Sequence, residues 1–209
     1  MAVKNFLAVD TSGSALIVVA KKDGKTFTSY TPDCAMKHSV LLMDAIDETL
    51  DKANLTLSEC DFFSAVVGAG SFTGIRIGVS AMKGFALAMG KPTLPVTSFA
   101  CLEYTAIEGK TLCLIDALHG YYYVCGYENG KIVYSPAYVA EEEVLALHKQ
   151  GYALRAFTKL GVAEKAPVEM MDGEKGLLCA VETLANENAF DELNPLYIRK
   201  SSAEENLCK

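Results

Sequence analysis

Residues 7–10 read LAVD and residues 113–116 read CLID, and the same succession of elements surrounds both. Each ends a short apolar run on an aspartate, Asp10 in the first half and Asp116 in the second. Working outward from LAVD, residues 6–9 read as a strand and 15–20 as a second. The KDGK at 22–25 reads as a hairpin turn, because Asp-Gly tolerates positive φ, and residues 25–30 return as a third strand. Apolar residues at helical spacing, among them Leu42 and Ile46, predict a helix over 36–53. A continuous apolar run at 62–67 predicts a strand buried on both faces. The glycines at 68–70 break it, and a helix then runs to Met89, where Gly90 and Pro92 supply C-terminal punctuation.

The second half repeats the plan. Strands are expected at 112–115, 121–127 and 132–135, the last two joined by Asn129-Gly130, the strongest short hairpin signal. A helix follows at 141–149, a strand at 152–157 and a last helix at 174–186. Each half therefore reads β-β-β-α-β-α. A twice-repeated unit of this kind is the α/β plan of the actin/hexokinase/Hsp70 (ASKHA) superfold, in which two ribonuclease H-like domains face a cleft. The division is placed at 1–100 and 101–209, with a connecting helix expected over 98–107. Which domain the last helix packs against is left open.

Between the fourth strand and the second helix lies GAGSFTGIRIG, residues 68–78. Glycines allow tight turning and close backbone approach there, and Ser71 or Thr73 can cap the helix. Such a junction can also bind an anion, so close packing and anion binding both stand. The run is neither a Walker A loop, lacking a closing Gly-Lys-Ser/Thr, nor GxGxxG. Gly70, Gly74, Gly78 and Ala81 follow one side of the helix, while Ile75, Val79, Met82, Ala86 and Met89 make a second apolar stripe. Between Ser71 and Gly90 the only charges are Arg76 and Lys83. A helix this apolar is covered on more than one side, either by its own chain or by a partner subunit.

The run GAGSFTGIRIGVSAMKGFALAMGKP resembles the signature of the TsaB (YeaZ) family, usually GPGSFTGLRIG followed by a helix and Gly-x-Pro. FLAVDTSGSALIVVA resembles that family's opening strand and DTS loop, His38-Ser39 before LLMDAIDETL its first helix start, and Leu196-Tyr197-Ile198-Arg199 its C-terminal ending. The similarity is strong over 5–100 and patchy beyond. Ala69 stands where the family usually has proline, and the second domain is shorter than in many relatives. The resemblance implies a subunit with no enzymatic activity of its own. It would pair through its first-domain helices with a TsaD-type catalytic paralogue, be joined by a TsaE-type ATPase, and meet tRNA only through the complex that makes threonylcarbamoyladenosine. Homodimers would use the same surface. The residues expected at it are His38, Leu42 and Ile46 on the first helix, with Ser71, Phe72, Gly74, Arg76, Gly78, Met82 and Met89 on the second.

Composition agrees with a protein that does not grip nucleic acid unaided. The net charge is −7 and there are three arginines, Arg76, Arg155 and Arg199, whereas phosphate binding calls for a basic face. The seven cysteines form no CxxC and mostly lie in apolar runs, which fits reduced structural thiols. With no signal-peptide pattern and no membrane-length apolar run, a cytoplasmic protein is expected. His38, His119 and His148 fall at no metal-ligand spacing, so no metal or other cofactor is expected. The rival reading is an autonomous ASKHA-type nucleotide-binding phosphotransferase, with Asp10 and Asp116 at the strand ends and Thr11 and Ser12 wrapping phosphate. Against it, bulky residues fill the second loop, Asp116-Ala117-Leu118-His119-Gly120, which makes both aspartates vestigial turn caps. Tyr121, Tyr122 and Tyr123 fit cross-strand packing better than base stacking, and Glu141-Glu142-Glu143 suits a helix start.

Overall fold

A strand apolar on both faces belongs in the middle of a covered sheet, and the LAVD strand lies there. The computed structural model describes residues 4–105 and 109–199. In it β1 (Phe6–Asp10) is buried throughout, with β2 (Leu16–Lys22) antiparallel on one side and β4 (Phe62–Gly68) parallel on the other. Beyond them lie β3 (Lys25–Thr31) and β5 (Thr93–Thr97), giving the order β3-β2-β1-β4-β5. Asp23 and Gly24 both take positive φ at the β2–β3 turn, as the expected hairpin requires.

On one face of this sheet α1 (His38–Ala53) and α2 (Phe72–Met89) bury a shared core with Leu7, Val9, Val18, Phe63 and Ala65. The opposite face is covered by α5 (Gly173–Asn186), whose Leu177, Ala180 and Val181 pack on Phe6, Ala8, Val19 and Val66. Lys21 of β2 is ion-paired to Glu182 of α5. The last helix thus packs back on the first sheet. Burying a leucine such as Leu177 contributes about 2 kcal/mol, and Val181 beside it adds to the hold on the helix.

The second sheet runs β10 (Val168–Met170), β9 (Tyr152–Ala156), β6 (Lys110–Asp116), β7 (Tyr121–Glu128) and β8 (Lys131–Ala140). It has the same pattern of parallel and antiparallel neighbours as the first. Asn129 and Gly130 make the β7–β8 turn at positive φ. One face carries α4 (Glu141–Lys149). The other meets α3 (Ser98–Leu102) through Phe99, Leu102, Cys113, Cys125 and Tyr127. The fold is α/β, two ribonuclease H-like units of ASKHA type.

Three expectations need correction. Each unit has a fifth strand, β5 or β10, that the β-β-β-α-β-α reading omits. β5 contains Pro95, which removes a ladder donor and disguises an edge strand, and β10 is only three residues long. Secondly, α5 follows β10 and so corresponds in order to α3. The place of α2 in the second unit is taken by a single 3-10 turn, Gly161–Glu164. Thirdly, α3 ends at Leu102, well short of the expected 98–107, while Ile107 itself, like Cys208, lies outside the described residues. The six described cysteines are all free. No helix among the described residues is long and apolar enough to cross a membrane.

Candidate functional site

At the end of β1 the backbone turns on Asp10, whose Oδ1 accepts from the Ser12 N–H at 2.7 Å. This turn aims Thr11 at α2. Thr11 Oγ1 donates to the Gly74 carbonyl (2.7 Å) and accepts from the Gly78 N–H (3.2 Å). Ser12 O accepts from the Ser71 N–H (2.8 Å). Ser98 Oγ donates to the Ala69 carbonyl (2.6 Å) and lies 3.2 Å from Ser12 Oγ. Ser71 caps α2 by accepting from the Gly74 N–H.

Glycine is needed in this loop for space. A Cβ on Gly74 would stand 2.0 Å from Thr11 O, and one on Gly70 2.3 Å from Ser12 O. Of the two readings open for GAGSFTGIRIG, close packing is the one the geometry supports. The donors of Ser12, Ser71, Gly74 and Gly78 are spent inside the protein, not held toward a ligand.

Asp10, Thr11 and Ser12 are all buried, and burial pushes the Asp10 carboxyl above its ordinary value despite the Ser12 hydrogen bonds. Beside it lies His38, 1% exposed. Burial drives its pKa below the ordinary 6.5, against the opposing pull of the Ala15 backbone and Asp10. In the second unit Asp116 Oδ1 accepts from the Leu118 N–H at 2.8 Å, the same turn on an exposed loop. Leu118, His119 and Gly120 there all have positive φ. The structure therefore gathers Asp10, Thr11, Ser12 and His38 with the residue 71–78 run, and puts Asp116 on the other sheet.

Of the residues expected at a docking surface, Leu42, Ile46 and Met82 belong to this chain's own core, and His38, Gly74 and Gly78 are buried. Helical spacing shows which stripe is apolar; the sheet beneath claims that stripe. Phe72 and Met89 are half-buried, while Ser71 and Arg76 are exposed. The outward faces of α1 and α2 carry residues the sequence reading passed over. Met36 (95% exposed), Val40 (72%) and Met43 lie at the start of α1 and along it, and Leu87 (87%) on α2. Their signal was present, as apolar residues off the core stripe. Ser98 was also missed, since a lone serine after a strand carries no distinctive pattern.

Tyr121 stacks on Tyr138 and Tyr123 tilts against it, while Tyr122 sits in the core, donating to Glu141 and accepting from the Val162 N–H. Cross-strand and core packing thus account for the tyrosine run. Among the described residues no three His, Cys, Asp or Glu are grouped to hold a metal ion.

Residues 29–193 match the family described as TsaD, tRNA N6-adenosine threonylcarbamoyltransferase. The tRNA threonylcarbamoyladenosine biosynthesis protein TsaB of Escherichia coli (strain K12) is 29% identical over 131 residues, 59% of this chain and 56% of the relative. The tRNA N6-adenosine threonylcarbamoyltransferase of Clostridium botulinum (strain Hall) is 31% identical over 144 residues, 66% of this chain and 39% of the relative. The chain spans about half the length of the curated relatives it matches. YeaZ from Pseudomonas aeruginosa superposes with a TM-score of 0.77 at 23% identity, covering 93% of this chain and 100% of the other, so the two share a fold. With the family match extending over most of its residues, the chain belongs to the TsaD (tRNA N6-adenosine threonylcarbamoyltransferase) family, and several of the relatives it resembles are TsaB proteins.

Proposed function

We propose that this chain is a non-catalytic subunit in tRNA threonylcarbamoyladenosine biosynthesis, docking through the outer faces of α1 and α2 onto a TsaD-type catalytic paralogue. A TsaE-type ATPase joins the assembly, tRNA is met only through the complex, and two copies of this chain pair through the same faces when the paralogue is absent. The observation that carries the reading is the exposure of Val40 and Met43 on α1, of Met36 two residues before it, and of Leu87 on α2, two helices that pack over one sheet face. Large apolar side chains left exposed on neighbouring helices are what an interaction surface offers a partner. Asp44 and Asp47, exposed on α1, favour a partner with basic residues opposite them.

The test is light scattering of the chain alone and mixed with the TsaD-type protein of the same genome. A species of summed mass is expected. The double substitution Val40→Glu and Leu87→Glu should abolish it while circular dichroism stays unchanged, because both side chains are solvent-exposed. A mixed species that survives both substitutions at low micromolar concentration would remove this surface from the proposal. Met82→Glu is unsuited to this test, because a charge at a fully buried core position unfolds the monomer.

The phosphotransferase reading retains one observation, the matched aspartate turns at Asp10 and Asp116. Calorimetric heat with ATP and magnesium that disappears in Asp10→Ala would favour it. The tight seating of the Asp10–Ser12 loop under α2 weighs against it.

A further inference from the structure

After α5 the chain does not stop at the sheet it covers. Phe190 packs edge-on against Phe62 on the α5 side of the first sheet (5.2 Å between centroids). Leu193, three residues on, is completely buried in the core on the α1–α2 side. Between them the chain rounds the outer edge of β5. The Asp191 N–H donates to Thr93 O (3.1 Å), and Thr93 Oγ1 donates to Asp191 O (2.6 Å). A free sheet edge is thereby covered.

The Leu196 N–H then donates to Val67 O at 2.7 Å. The Leu196 carbonyl stands 2.7 Å from where a Cβ on Gly68 would be. Seating of the tail and the shape of the loop into α2 therefore depend on each other. Tyr197 stacks on Phe72 at 4.5 Å and 8°, and its hydroxyl accepts from Arg76 Nε at 2.8 Å. Two residues later Arg199 lies over the Tyr138 ring (4.9 Å) and donates to its hydroxyl (3.1 Å). Tyr138 is on β8 of the second sheet, where it also stacks with Tyr121. Two residues of chain reach at most about 7 Å, so Tyr197 and Arg199 bind the start of α2 and the edge of the second sheet at one place.

We propose that residues 190–199 form a latch that wraps the β5 edge and bolts the second sheet to the start of α2. The tail, and not only the 98–110 connection, then sets how the two units sit relative to each other. Tyr197 is the bolt on the first unit and Arg199 the bolt on the second.

Hydrogen exchange on the full chain tests this without any partner protein. Tyr197→Ala should speed exchange about tenfold or more at amides 68–76, and also at 134–140, where it is Arg199 that holds Tyr138. Arg199→Ala should speed exchange at 134–140 and leave 68–76 close to wild type. If Tyr197→Ala accelerates only 68–76, the two bolts are independent and the latch is wrong. Should Tyr197→Ala fail to fold, Arg199→Ala and Tyr197→Phe decide. The latch then requires faster exchange at 134–140 in the first and a milder loosening of 68–76 in the second, and wild-type exchange in both overturns it.

Discussion

The two units begin with the same turn and use it differently. In the first, Asp10 is followed by Thr11 and Ser12, and both reach a long helix; in the second, Asp116 is followed by Ala117 and Leu118, and no such helix exists. The element that would have received them is reduced to the turn Gly161–Glu164. Without α2 there is nothing to cover the loop, so Asp116 is exposed where Asp10 is buried. A shared backbone motif thus persists in both halves, while burial, polarity and close approach exist only where a helix lies across it.

The two units should differ most when the space under α2 is filled. Gly74→Ala gains about 1 kcal/mol of helix propensity. Its Cβ meets the Thr11 carbonyl at 2.0 Å, a backbone atom that cannot rotate away, so overpacking wins and stability should fall by about 3 kcal/mol. Gly161→Ala, in the corresponding turn, meets only ordinary contacts beyond 3.4 Å and should fall within about 0.5 kcal/mol of wild type. Urea midpoints of the two variants measure the difference. Equal losses would mean that the loop in the first unit is not specially tight.

A smaller effect is expected from the hydroxyl that ties loop to helix. Thr11→Val keeps the shape but leaves the Gly74 carbonyl and the Gly78 N–H without their partner, which costs about 2 kcal/mol. Ala117 at the matching position already lacks a hydroxyl, and Ala117→Ser should change little. Thermal unfolding of both variants checks this, and a Thr11→Val transition at the wild-type temperature would discard the tie.

The smallest effect is in the pH dependence. Burial raises the Asp10 pKa above 3.8, so the folded state prefers the protonated carboxyl. Its contribution to stability is present below the ordinary value and is lost as pH rises through the folded one. Asp10→Asn keeps the Oδ1 acceptor and removes that loss, so the variant should gain on wild type as pH rises. His38, a titratable group facing Asp10, pulls the other way. Its lowered pKa means stability is lost as pH falls below 6.5, so the Asp10→Asn profile is read as a difference from wild type at each pH, in which the His38 contribution is common to both. A parallel profile for Asp10→Asn would show that its burial carries no electrostatic consequence.

Much of this was legible in the residues. Helix α4 falls at Glu141–Lys149, where the acidic start and the apolar spacing placed it, and both Asp-Gly and Asn-Gly turns formed as their φ preferences require. These are local signals, each decided within a few residues. Edge strands were less readable, because β5 contains a proline and β10 spans three residues. The fate of the last helix could not be read, since its apolar stripe fits either sheet equally well.

Legible in the residues alone were the duplicated order of elements, the aspartate at each first strand end and the glycine-rich entry to α2. Turn chemistry, apolar periodicity and missing Cβ atoms act over short stretches and leave their mark there. It took the packed fold to make Leu42, Ile46 and Met82 core and Val40 and Leu87 surface, and to bring the tail back to both sheets. Which side of a helix faces protein, and where a distant segment comes to rest, depend on long-range packing. No window of neighbouring residues contains it.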